Sequence, residues 1–369
     1  MIIKPLPTLK FNALIKPAPI NKMSKLMLYF FRFLHIVFSY DMGFFQFKSY
    51  IVKNIFRLIS ILQCISICGT VIYFLFVNLD KFFAIWYTVF IVQFIINVLI
   101  LNLSGNKMTY YRFQRALLLL DSELKVDTST YNFELKIILC IFVSISCRCL
   151  LTYSYCSDYI ENCVKPVLAE VLYCVPWFSL DIVLIVYSSI FYSAYCRLVK
   201  LTSNLKNTYI DICGCQYLYI SIVDATEQIK ITFDNVFLVV LLIDFPEVMV
   251  SIYLLLLELK KYWMNILLTT SLNSFTIFQS LVLMFCPPLC ANILLAQTEK
   301  MTIVLHNRLL QEKDKNRIKD IKRLIRYIEA RPFNLKARGI IPLNASLPVA
   351  MLNFCVTYLI VAIQFSHLY

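Results

Sequence analysis

Residues 347–369 read Leu-Pro-Val-Ala-Met-Leu-Asn-Phe-Cys-Val-Thr-Tyr-Leu-Ile-Val-Ala-Ile-Gln-Phe-Ser-His-Leu-Tyr, with no Asp, Glu, Lys or Arg among them. A run of roughly 20 mostly apolar residues is what an α-helix needs to cross a bilayer core about 30 Å thick. Six more windows of this kind fall at about 55–78, 82–103, 135–156, 168–191, 236–257 and 263–286. The composition agrees, because 369 residues that are 60% hydrophobic and 15% charged would expose too much apolar surface on a water-soluble globule. The expected fold is all-α: a bundle of seven transmembrane helices with cytoplasmic helical extensions.

Two of the windows are interrupted. Arg148 sits between Cys147 and Cys149 in the third, while Asp244, Pro246 and Glu247 break the fifth. Ionisable groups at such depth face a bundle interior, a cavity or a partner charge. Arg148 is a candidate partner for the two acids, which could instead attract cations or touch a ligand. The apolar stretch Leu26 to Tyr40 contains Arg32 and His35. It is too short and too charged to span and lacks the form of a cleavable signal, so it is expected to lie on the inner leaflet or against the bundle.

Lys and Arg collect in cytoplasmic loops. With the N-terminus inside, 30 of the 35 basic residues fall on the cytoplasmic side, and only Lys81, Lys165, Lys260 and Lys261 fall outside. The N-terminus is therefore expected inside and the C-terminus outside, the inverse of a G-protein-coupled receptor. The same partition accounts for the net charge of +13 without nucleic acid as a partner.

Within the last window, Thr357-Tyr358, five apolar residues and Gln364-Phe365 form a pattern that resembles the C-terminal signature of insect gustatory receptors. Thr298-Glu299-Lys300 through His306 to Leu309-Leu310, then Phe333, Ala337-Arg338-Gly339 and Asn344, are similar to that family's run into its final helix. Asp234-Asn235-Val236-Phe237 with Tyr253 resembles its fifth span. The likeness is carried by the C-terminal third; the rest matches in span count, loop lengths and orientation. It implies a ligand-gated, non-selective cation channel in the plasma membrane of a sensory neuron. Its partners would be membrane lipid and a small-molecule tastant, in a homotetramer or a heterotetramer with related receptors. The seventh helix would line the pore, cytoplasmic extensions would form an anchor, and a ligand pocket would open in the outer half among the second to sixth helices. Sugar-responsive relatives commonly carry an acid after Thr-Tyr, where this chain has Leu359. Bitter or other non-sugar tastants are the better expectation, with an odorant-type channel or an inverted metabotropic receptor or transporter as alternatives.

Thr357, Val361, Gln364 and Leu368 are spaced four, three and four, so they make one helical stripe. Around a shared axis, Gln364 amides could coordinate a cation and a ring of Val361 could close by dewetting. Alternatively, Thr357 and Gln364 only bond between helices. Tyr358, Ala362 and Phe365 form the neighbouring stripe, expected to pack; Phe365, part of the signature, is counted with the pore and gate candidates. Between 292 and 338, Ile318, Ile321, Leu324, Ile325 and Ile328 recur at helical spacing beside Arg317, Lys319, Lys322, Arg323 and Arg326. Such an amphipathic helix, expected over Glu312 to Ala330, could bind anionic lipid or pack in a subunit bundle.

Tyr173, Trp177 and Asp181 recur every four residues in the fourth window. Aromatic faces beside an acid suit an organic cation, although Tyr and Trp also gather at membrane interfaces and Asp181 could pair internally. Trp86, Tyr253 and Trp263 are further ligand candidates, with Tyr87 and Tyr153 beside them. The expected organisation is 1–54 cytoplasmic segment, 55–291 helices one to six with the pocket, 292–346 anchor region and 347–369 pore helix. The 14 cysteines read mainly as small apolar fillers; Cys156 and Cys163 could bridge near an outer loop. Cys213, Cys215, Cys286 and Cys290 have no nearby histidine among His35, His306 and His367, so neither a metal nor another cofactor is expected. No nucleophile elbow, phosphate loop or metalloprotease motif indicates an enzyme. The sequons at Asn102 and Asn344 fall on the expected cytoplasmic side.

Overall fold

The computed structural model describes residues 29, 50–78, 91–101, 110–124, 133–157, 164–206, 211–261 and 267–366. Its helices are α1 (Tyr50–Asn78), α2 (Ile91–Leu101), α3 (Tyr110–Glu123), α4 (Phe133–Ser157), α5 (Val164–Leu205) and α6 (Ile212–Lys261). They continue with α7 (Leu267–Gln311), α8 (Lys315–Ala330) and α9 (Ser346–Ser366), and a hairpin of β1 (Lys336–Ala337) and β2 (Ile341–Pro342) precedes α9. The seven-span, all-α architecture is present, with α1, α2, α4, α5, α6, α7 and α9 in the seven expected windows. Leu26–Tyr40 apart from Tyr29, and the Cys156–Cys163 pair, lie outside the described side chains.

The long helices differ most from the sequence reading. α5, α6 and α7 have 42, 50 and 45 residues. At 1.5 Å per residue they are about 60–75 Å long, roughly twice the hydrocarbon thickness. Segments expected as loops, 192–235 and the first part of 287–346, are instead continuations of these helices, and α7 runs unbroken through the expected boundary at 291/292. Polar residues lower the hydropathy there, but backbone hydrogen bonds continue regardless of what surrounds the helix. Asp211 stands immediately before α6, and its carboxylate accepts from Cys213 N at 2.9 Å and Gly214 N at 3.1 Å. Those bonds satisfy two of the amides left open at a helix start. The expected loop 104–136 likewise contains α3, which buries Phe113, Leu117 and Leu120 and ties Asp121 to Arg197 of α5 at 2.6 Å.

α5 is the central post. Every residue from Asp181 to Phe191 is buried, and α1, α4, α6 and α7 pack around it. Pro246 in α6 and Pro287 and Pro288 in α7 remove backbone donors without ending their helices, as neighbouring helices in a membrane bundle allow.

α8 starts three residues later than expected, because Asp314 caps it by accepting from Asn316 N at 2.9 Å. Its apolar stripe is covered by α6 and α7 of the same chain: Ile321, Leu324, Ile325 and Ile328 are buried. Burial of each such side chain contributes about 1.5–3 kcal/mol before entropy. The stripe needs no second subunit to cover it, and Lys319, Lys322, Arg323 and Arg326 face outward on the other side.

The hairpin escaped the sequence reading. It turns through two left-handed residues, Arg338 (φ 50) and Gly339 (φ 73); glycine accepts that region freely and arginine does not. The strain at Arg338 is held by bonds to α6, since its amide donates to Asp234 Oδ2 at 3.1 Å and its guanidinium to Asn235 Oδ1. Lys230 Nζ joins the node, 2.9 Å from Asp234 Oδ2 and 2.6 Å from the Lys336 carbonyl. Tyr187 of α5 completes it, donating to Asp234 Oδ1 at 2.6 Å from within a cluster of Phe191, Phe233 and Phe237. Asp234 thus clamps the segment that leads, through the Asn344 cap, into α9.

Candidate ligand cavity and pore helix

Arg148 is 6% exposed and finds its counter-ion on α5. Its Nε and Nη2 reach Asp181 Oδ2 and Oδ1, both at 3.2 Å, in a two-point pairing that suits a planar guanidinium. Asp181 also accepts from Ser144 Oγ at 2.7 Å and Gln279 Nε2 at 3.0 Å, and Arg148 reaches Ser280 Oγ at 3.0 Å. Arg148 thus makes its two-point contact with Asp181, which pairs internally, while it stays a charged neighbour of Asp244 and Glu247. Nothing in a single chain's residue order fixes how α4, α5 and α6 rotate against one another. Ser144, Gln279 and Ser280 went unnoticed from sequence. Their signal was there: Ser144 stands one turn before Arg148, and two adjacent polar residues interrupt an apolar run.

A cavity of about 70 Å³ opens beside this network, between α4, α5, α6 and α7. Its polar wall includes Arg148, Asp181, Asp244, Glu247, Thr276 and Ser280. Leu184, Val248 and Met284 supply apolar wall. Asp244 is 5% exposed and neither carboxylate oxygen has a hydrogen-bond partner. Gln93 is its hydrogen-bonding neighbour and Asp181 and Arg148 are its charged ones, although the buried Gln93 amide reaches full hydrogen-bond geometry at neither end. Buried polar atoms without partners are uncommon and costly.

Of the residues expected at a ligand site, Asp181 lines the cavity. Tyr253 is half-buried on α6 and does not line it. The side chains of Tyr173, Trp177, Trp86 and Trp263, and those of Tyr87 and Tyr153, lie outside the described residues.

α9 rests on α6 and α7 through one face, with Met351 and Cys355 buried and Tyr358 and Ala362 half-buried. Phe354 meets Phe245 of α6 with ring centroids 6.1 Å apart. The other faces are open: Val361 is 42% and Phe365 61% exposed, and Thr357 and Gln364 are exposed as well. Phe365 therefore departs from the packed stripe it was expected to share with Tyr358 and Ala362. Thr357 Oγ1 donates to the Asn353 carbonyl at 2.9 Å, one turn back. Leu368 lies outside the described residues. Within the chain, the Thr357, Val361 and Gln364 stripe is unpartnered.

The family model described as 7tm chemosensory receptor matches residues 24–368. Among solved structures, the chain is similar to the insect olfactory receptor OR5 from Machilis hrabei. That match has a TM-score of 0.61 and 14% identity, over 94% of this chain and 100% of that one. The same receptor in complex with eugenol matches with a TM-score of 0.56 and 14% identity, over 93% and 98% of the two chains. At this identity the likeness concerns the fold. No curated protein matches the sequence.

Proposed function

Because this chain belongs to the 7tm chemosensory receptor family, we propose that it is a gustatory receptor acting as a ligand-gated, non-selective cation channel. Its ligands would be bitter or other non-sugar tastants, taken up in the cavity between α4, α5, α6 and α7. The observation that carries the channel reading is α9. It is long and apolar enough to cross a membrane, yet it leaves Thr357, Val361 and Gln364 uncovered. Four copies around an axis would bring those residues together as a pore lining, with amide carbonyls for a cation and valines for a gate. The eugenol complex of the similar olfactory receptor supports small-molecule binding in this fold. The missing acid at Leu359 is what favours non-sugar ligands.

In this reading the receptor sits in the plasma membrane of a sensory neuron with its N-terminus inside, as the distribution of Lys and Arg indicates. An epitope at the N-terminus should be inaccessible in intact cells and one at the C-terminus accessible; surface labelling of the N-terminal epitope would overturn the orientation. Gln364→Ala should alter relative cation permeability, block or basal current while surface expression is retained. Ile363→Ala, about 100° away around the helix, should leave permeability and block as they are. A Gln364→Ala channel that traffics normally with permeability, block and basal current unchanged removes Gln364 from the pore.

A further inference from the structure

We infer that the cavity takes a small organic monocation, a protonated amine, held by the carboxylates of Asp244 and Glu247. The inference rests on the reading of this cavity as the ligand site and names the class of ligand.

The charges around the cavity do not balance. Arg148 makes two hydrogen bonds to Asp181, and Ser144 and Gln279 add two more at Oδ2, so that carboxylate is already paired and solvated by the protein. Asp244 and Glu247, three residues apart on α6, share one helix face and line the same space. Asp244 is 95% buried with both oxygens lacking a donor. A buried acid in this state is stabilised by taking either a proton or a cation. The Gln93 amide beside it is uncharged and cannot balance a carboxylate.

The shape of the wall selects among cations. A hard metal ion wants six or more oxygens around it, and no group of three or more His, Cys, Asp or Glu suited to a metal occurs among the described residues. Leu184, Val248 and Met284 instead add apolar surface to the same cavity. An ammonium with a short hydrocarbon tail meets both halves. The volume of about 70 Å³ exceeds several-fold the roughly 15 Å³ that seats one water. It suits a compact amine better than a multi-ring one. From sequence, an organic cation was open at Asp181 and a cation or ligand at Asp244 and Glu247; the pairing of Asp181 with Arg148 favours the two acids one helix over.

The test uses the full chain purified in lipid nanodiscs and matched probes: n-butylamine against n-butanol, and n-hexylamine against n-hexanol. The amines are charged at neutral pH, as lysine is. Binding is read as a ligand-induced rise in the thermal midpoint, with no current required. The amines should raise the midpoint at concentrations where the alcohols do not. The double variant Asp244→Asn, Glu247→Gln, nearly isosteric and relieved of buried charge, should bind amines about 30-fold more weakly or worse. Equal binding of alcohols and amines to the wild-type chain, absence of binding by either amine, or unchanged amine affinity in the double variant would each overturn the inference. Should the double variant fail to fold, the comparison of amine with alcohol on the wild-type chain still decides. A chain that binds amines but passes no ligand-evoked current would overturn the channel reading alone. Gating by neutral compounds with no amine binding would overturn only the ligand class.

Discussion

Asp234→Ala should cost the folded chain about 3–5 kcal/mol, the usual penalty for leaving one member of a buried ion pair without the other. The loss is large because a single carboxylate serves three elements. It neutralises Lys230 on its own helix, accepts the Tyr187 hydroxyl from α5 and holds the Arg338 amide in the left-handed turn of the hairpin. Lys230 would remain 5% exposed with its charge uncompensated. Size-exclusion chromatography of the detergent-solubilised variant should show most of the monodisperse peak gone, and the remainder should melt earlier. Lys230→Met in the same chain should restore much of the peak, since replacing both charges removes the orphaned one. A single variant as stable as the wild type would mean that the node contributes nothing.

Arg148→Ala should be comparably damaging. Truncation leaves Asp181 buried beside Asp244 and Glu247 on the same cavity, with the guanidinium removed. The expected loss is again about 3–5 kcal/mol. Arg148→Lys should recover only part of it, because an ammonium cannot make the two-point contact that Nε and Nη2 make to the carboxylate. Arg148→Met with Asp181→Leu should be close to neutral. If Arg148→Ala folds with wild-type thermal stability, the pair is peripheral and the charge balance of the cavity has to be redrawn.

These two sites show which features a sequence can disclose. The spans were legible because burial in lipid demands apolar runs of a set length. The stripe of α8 was legible because Ile321, Leu324, Ile325 and Ile328 repeat at the helical period. Arg148, Asp181, Asp244 and Glu247 stood out as charges in apolar surroundings, so the members of the cavity were visible before its shape was. Their pairing was hidden. Asp181 and Asp244 were both available at suitable depth, and the choice between them depends on helix rotation, which leaves no mark in residue order. The extensions of α5, α6 and α7 were hidden for another reason: hydropathy reports the solvent around a helix, whereas the helix itself continues wherever its hydrogen bonds do. The Asp234 node shares both problems. Asp234-Asn235 was noted only as part of a resemblance, and its partner hairpin consists of two-residue strands with no alternating pattern to announce them. For α9 the apolar span was plain, but the openness of its Thr357, Val361 and Gln364 face required the packed chain.

The central claim is that the chain itself conducts ions when it binds a ligand. The most direct measurement is current recording from cells expressing this chain, alone and with a related receptor. A panel of small amines and neutral tastants would be applied while a non-hydrolysable GDP analogue in the pipette blocks G-protein signalling. The account predicts a ligand-evoked cation current that persists under the block and changes its permeability ratio, block or basal level in Gln364→Ala. A response abolished by the GDP analogue, or no evoked current from surface-expressed receptor with any ligand of the panel, would contradict it.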